Sequence, residues 1–281
     1  MASDTPARPR HRPAPSSLLP FWLSIGALGL LQAALVAAPK PADSPLLAGL
    51  RSSSWALVLP LSIVVVVAAI ALDSAFADFL TYLALVAVPP LAALALAAIV
   101  RGGRPPLAVL AIPLFAIAWA CRGSLAGETA ALALSALACV SLGWLLACVV
   151  PGRWLKLGIY AMAAIDAWLV GANLLQGPNA VLNAAAPGGL PQLQFVSFGS
   201  AVMGFGDIFI AAVLGALLAA DHRVQLIGAA IAAVLGVSFD LLFFAVDSLP
   251  ATVPIALTLV ILDLTGRSRP RTGSPPGQPR Q

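Results

Sequence analysis

Three aspartates stand where a carboxylate is costly. Asp166, Asp207 and Asp240 each fall inside an apolar run, in a chain with only eleven acidic residues. A carboxylate near the centre of a bilayer costs roughly 2.5–3.5 kcal/mol on insertion scales, so each one needs a reason. Asp166 lies about ten residues into one run (155–176) and Asp207 about twelve into the next (195–220), which at about 1.5 Å per residue puts both near mid-depth. Consecutive spans are antiparallel and usually adjacent, so the two acids can meet as a carboxylate pair in an apolar bundle. Such a pair cannot comfortably hold two charges and shares a proton. The ionised member can take a proton from water as it attacks a peptide carbonyl. The protonated member polarises that carbonyl and later helps to protonate the leaving amine. The same acids could instead hydrogen-bond across helices, line a water-filled path, or relay protons in a transporter or channel.

Other chemistries find little material. His11 and His222 are the only histidines, one in a tail and one in a loop, and Cys121, Cys139 and Cys148 form no paired motif, so no metal or other cofactor is expected. The odd number of cysteines leaves no complete disulfide framework, and they read as small packing residues. The net charge of +4 comes mainly from arginines in the tails and loops, which suits anionic lipid headgroups better than nucleic acid.

The elements that must position the acids are membrane helices. Sixty per cent of the 281 residues are hydrophobic and nine per cent charged, with a mean hydropathy of +0.99, more apolar surface than a water-soluble core absorbs. The apolar runs have the length a helix needs to cross roughly 30 Å of hydrocarbon, without the alternation of a membrane barrel. The expected fold is an all-α polytopic bundle of about nine spans: 17–38, 54–72, 77–100, 106–121, 129–150, 155–176, 195–220, 224–246 and 249–264. Residues 1–16 and 265–281 are basic, proline-rich tails. Residues 17–150 would form a five-span N-terminal bundle and 151–264 the four-span catalytic region. Pro89 and Pro90 should kink the third span. Residues 177–194, uncharged and rich in proline and glycine, should form a mobile connector.

Eleven Lys and Arg fall on one side of this arrangement and four on the other, which predicts an outside N-terminus and a cytoplasmic C-terminus. Thirteen arginines against two lysines, with abundant alanine, hint at a GC-rich bacterial genome and so a plasma membrane.

Asp207 is preceded by Gly204-Phe205-Gly206, which removes side-chain bulk beside it and allows close helix contact or an unwound backbone. Gly204-Phe205-Gly206-Asp207 resembles the GxGD motif of the presenilin and signal peptide peptidase family of intramembrane aspartyl proteases. An aspartate in the preceding span, nine apparent spans and Pro250-Ala251 at the entrance of the last one agree with it. The match is concentrated in residues 153–264. The resemblance implies Asp166 and Asp207 as the catalytic pair, Gly204, Phe205 and Gly206 as the surroundings of the second acid, and Pro250 and Ala251 as supports of the site. It also implies transmembrane-helix peptides as substrates, cut within the membrane. This chain departs from the family in two places: Ile165 stands where the family has tyrosine before the first aspartate, and Thr252 where it has leucine after Pro-Ala. Tyr160 lies about 240° around the helix from Asp166 and cannot replace the missing tyrosine. Prepilin peptidases, which cleave leaders at the membrane face, also carry a GxGD aspartate, but they place lysine two residues later, where Phe209 stands here.

Overall fold

The computed structural model describes residues 15–73, 75–185, 189–246 and 248–267. Of the expected tails, 1–14 and 268–281 lie outside the described residues. Pro15 and Ser16 already belong to the first helix, and 265–267 form the turn after the last.

The chain is mostly helical. In order it forms α1 (Pro15–Ala37), α2 (Val58–Leu72), α3 (Ala75–Leu94), α4 (Ala111–Ala120), α5 (Leu125–Val149), α6 (Gly152–Gly171), α7 (Gln176–Ala184), the strands β1 (Phe195–Phe198) and β2 (Ala201–Gly204), then α8 (Phe205–Leu218), α9 (His222–Asp240) and α10 (Val253–Leu264). Six helical segments are long and apolar enough to cross a membrane: Pro20–Ala37, Ser53–Leu72, Ala75–Ile99, Leu125–Val149, Gly152–Gly171 and His222–Phe244. Three shorter apolar helical segments accompany them, Pro105–Ala120, Phe205–Leu218 and Val253–Leu264. Pro89 and Pro90 lie within α3, which runs on into a π-helical turn at Ala95–Ile99.

Two expectations need correction. The run 195–220 is not one helix: its first ten residues are an antiparallel hairpin, paired Phe195↔Gly204 through Phe198↔Ala201, and only then does α8 begin. The hairpin turns at Gly199-Ser200. Gly199 has φ +59°, which suits glycine at the first central position of a two-residue turn. The connector 177–194 is not plain loop either. Residues 176–184 form α7, whose Val181 and Leu182 pack on Ile70 of α2 and Ala77 of α3. Pro187 and Gly188 lie outside the described residues.

The core sits around α8. Ile208 and the whole stretch from Ile210 to Ala216 are buried. The helix fits between α5 and α1 because glycine stands at both crossings. A Cβ on Gly143 of α5 would lie 2.8 Å from the Ala212 and Val213 backbone, and one on Gly215 would lie 2.6 Å from the Leu35 and Val36 carbonyl oxygens. Its C-terminal end is held by polar groups. The fully buried Gln225 donates through Nε2 to the carbonyls of Gly215 and Pro39, 3.1 and 3.0 Å away. Arg101 donates to Gln225 Oε1 at 2.6 Å and to the Ala219 carbonyl at 3.1 Å, meeting carbonyls that a helix end leaves open. Cys139 and Cys148 are buried, as packing residues should be, whereas Cys121 is exposed at the end of α4.

Candidate active site

Because α8 starts at Phe205, Asp207 is its third residue and not the middle of a helix. From Asp207 to Leu218 the helix rises only ~16 Å, about half a hydrocarbon thickness. The hairpin occupies the other half of the seventh run. Backbone that is not helical is tolerated at membrane depth only where it is buried in protein or lines a hydrated cavity. The hairpin pairs with itself, packs on α5 and α1, and has its turn fastened, with Gly199 N–H donating to Glu128 Oε2 at 2.8 Å and Ser200 N–H to Ser24 Oγ at 3.3 Å, while Gly199, Ser200, Val202 and Gly204 stay exposed.

Asp166 comes from α6, five residues before its end, and is buried. The two acids are brought together. Met162, one turn before Asp166, abuts Gly206, where a Cβ would lie 3.2 Å from its methyl group, and the two carboxylates interact electrostatically. In apolar surroundings one shared negative charge is favoured over two.

Each acid of the pair has a neutral donor. The Thr252 hydroxyl donates to Asp166 Oδ2 at 2.6 Å. Gly204 N–H donates to Asp207 Oδ2 at 3.1 Å, half of a capping box, and places the carboxylate at the positive end of α8. Gly204 has to be small here, since a Cβ would lie 3.1 Å from that same oxygen. Phe205 opens the helix and packs its partly buried ring on the core.

Pro250 and Ala251 lie in the turn before α10, and the Ala251 carbonyl is tied to α8 by a residue that sequence reasoning missed. Gln32 of α1, buried, donates through Nε2 to the Asp207 carbonyl at 3.0 Å and to the Ala251 carbonyl at 3.3 Å. Gln32 and Ser24 are the only polar residues of α1 between Pro20 and Ala37, and an amide in an apolar span calls for a partner. That signal was legible. Thr252, noted in the sequence only as a departure, is the donor that orients Asp166.

A cavity of about 70 Å³ opens beside the pair, lined by Gln32, Asp207 and Ala251 and, across from them, by Asp240 at the end of α9. Asp207 lines it, whereas Asp166 and Thr252 do not. A larger groove of about 340 Å³ between α2 and α6 is lined by residues such as Pro60, Trp154 and Gly158 and holds no acid. Among the described residues no group of three His, Cys, Asp or Glu side chains could hold a metal ion. Tyr160 is engaged elsewhere, its hydroxyl donating to Asp263 Oδ2 at 2.9 Å, and Lys156 pairs with the same carboxylate.

Comparison of the chain with protein-family models, with curated proteins and with solved structures returns no match. The chemistry must be argued from the residues. A carboxylate pair with Asp166 buried and Asp207 partly buried, oriented by a hydroxyl and a backbone N–H and adjoining a small cavity, can take a proton from a water molecule and return one to a leaving group.

Proposed function

We propose that this protein is an intramembrane aspartyl protease of the presenilin and signal peptide peptidase type, hydrolysing peptide bonds within transmembrane segments. One observation carries the reading: Asp166 of α6 and Asp207 of α8 are brought together where Met162 abuts Gly206, with Thr252 of the Pro250-Ala251-Thr252 segment donating to the first of them. In this reading the six long apolar segments and the three shorter ones make nine crossings, with the hairpin completing the seventh. The dyad holds one proton. Its charged member activates the water, its protonated member polarises the scissile carbonyl, and the proton then passes to the amine. No metal or cofactor takes part.

The substrate is a transmembrane helix that unwinds locally, because helical carbonyls are shielded by their own hydrogen bonds. The Lys and Arg distribution favours an outside N-terminus and a cytoplasmic C-terminus, an orientation like that of signal peptide peptidases and suited to type II substrates, and the excess of arginine over lysine favours a bacterial plasma membrane. The test is cleavage of a panel of transmembrane peptides by purified, detergent-reconstituted protein, comparing wild type with Asp166→Ala and Asp207→Ala. Cleavage that either substitution abolishes is the expected result. Folded wild type that cuts nothing across a broad panel and pH range would sink the proposal and shift weight to a transport role for the acids.

A further inference from the structure

Asp240 is the intramembrane acid that the dyad leaves unused. It ends α9 and lines the same cavity as Asp207. Asp166 and Asp207 each have a donor supplied by the protein, whereas Asp240 makes no hydrogen bond or ion pair among the described residues. On the cavity wall Phe239, Phe243 and Leu249 are apolar, and the Nε2 of Gln32 is already given to the Asp207 and Ala251 carbonyls, so no side-chain amide, hydroxyl or cation there is left to donate. Asp240 is partly exposed, so its carboxylate is open to a donor that enters the cavity.

The space beside it is built by two glycines. Gly29 of α1 faces Asp240 Oδ2, which lies 3.5 Å from where its Cβ would be. Gly236, one turn before Asp240 on α9, is buried, yet a Cβ there would meet nothing within 4 Å, so its missing side chain is part of the hollow. The cavity, about 70 Å³, has room for a few water molecules or a short side chain.

We infer that Asp240, with Gly29 and Gly236, forms a subsite beside the dyad for a serine or threonine of the substrate close to the bond to be cut. The substrate hydroxyl donates to the Asp240 carboxylate, a charge-assisted bond of the strong class. A valine of the same shape leaves that carboxylate unmet, so the site discriminates by penalty as well as by attraction. The inference rests on the proteolytic reading for the word substrate, but the hollow and its acid are independent of it.

The test is a set of transmembrane peptides in which each position around the cleavage site carries threonine or valine in turn, measured both for kcat/KM and for equilibrium binding by fluorescence anisotropy. Wild type should prefer threonine over valine about ten- to hundredfold at one position, mostly through KM. Asp240→Leu should abolish or reverse that ratio, and Asp240→Asn, which keeps an acceptor oxygen, should retain part of it. A merely structural role for Asp240 would lower both peptides equally and leave the ratio unmoved. Equal rates and affinities for threonine and valine at every position, or a ratio indifferent to Asp240→Leu, would overturn the subsite. Preferential binding of the threonine peptide without cleavage would support the subsite and count against proteolysis.

Discussion

The two ends of the α6, α8 and α10 group hold their acids in opposite ways. At one end Asp263 of α10 meets a cation, Lys156, and the Tyr160 hydroxyl from α6, while Arg101 and Gln225 close the end of α8. At the other, Asp166 meets a threonine hydroxyl and Asp207 a backbone N–H. The difference is one of proton availability. A carboxylate locked to an ammonium group stays ionised and serves as a strut, whereas one held by neutral donors can still gain and lose a proton. An acid pair in the second condition is suited to chemistry, and Asp263, at the opposite end of α6 and α10, stands apart from it.

The sharpest way to break this contrast is to remove the proton-carrying acids. Asp166→Asn and Asp207→Asn should each lower peptide cleavage by at least about a thousandfold, within the range that a positioned acid or base contributes. The melting temperature in detergent should hold or rise, since each change removes a carboxylate from apolar surroundings. A drop in stability as large as the drop in rate would make these acids struts after all.

The next largest effect belongs to the opposite end, and to stability. Gln225→Leu removes both Nε2 bonds and leaves Arg101 and the Gly215 and Pro39 carbonyls without that partner. Unfolding should become easier by roughly 3 kcal/mol, read as a lower melting temperature, because buried groups left unmet cost about 1–3 kcal/mol each. Residual folded protein should cut peptides at close to the wild-type rate.

Thr252 probes the site end more finely. Thr252→Val keeps the shape and deletes the hydroxyl that orients Asp166, so kcat should fall about ten- to hundredfold while peptide affinity changes little. Thr252→Ser should recover most of the rate. If valine were as active as threonine, the hydrogen bond would be incidental and the Pro250-Ala251-Thr252 segment only a spacer.

These residues also mark how much was legible before the fold. The acids were, because a carboxylate in an apolar run is conspicuous on energetic grounds, and the glycines beside Asp207 were, because they precede it by one and three residues. The hairpin was read as helix. Residues 195–204 are apolar enough to pass for a span, yet Phe195, Val196, Phe198 and Val202 around a Gly199-Ser200 pair make a strand and turn pattern that length and hydropathy outweighed. Gln32 and Thr252 were missed for another reason. Their roles depend on which helices meet, and neither α1 against α8 nor the α10 entrance against α6 follows from chain order. Tyr160 was read correctly, as helix geometry alone excluded it from Asp166.

The smallest effect closes the comparison. Lys156 and Asp263 are only partly buried, with side-chain exposures of 24% and 32%, so solvent screens their pairing. Lys156→Met should cost about 1 kcal/mol or less in stability and change the cleavage rate by less than about threefold. The Tyr160 bond to Asp263 remains in that variant, so the α6–α10 contact has a second fastening. A tenfold loss of activity from Lys156→Met, with folding intact, would mean that the strut end transmits strain along α6 to Asp166. The separation of the two ends into anchor and chemistry would then fail.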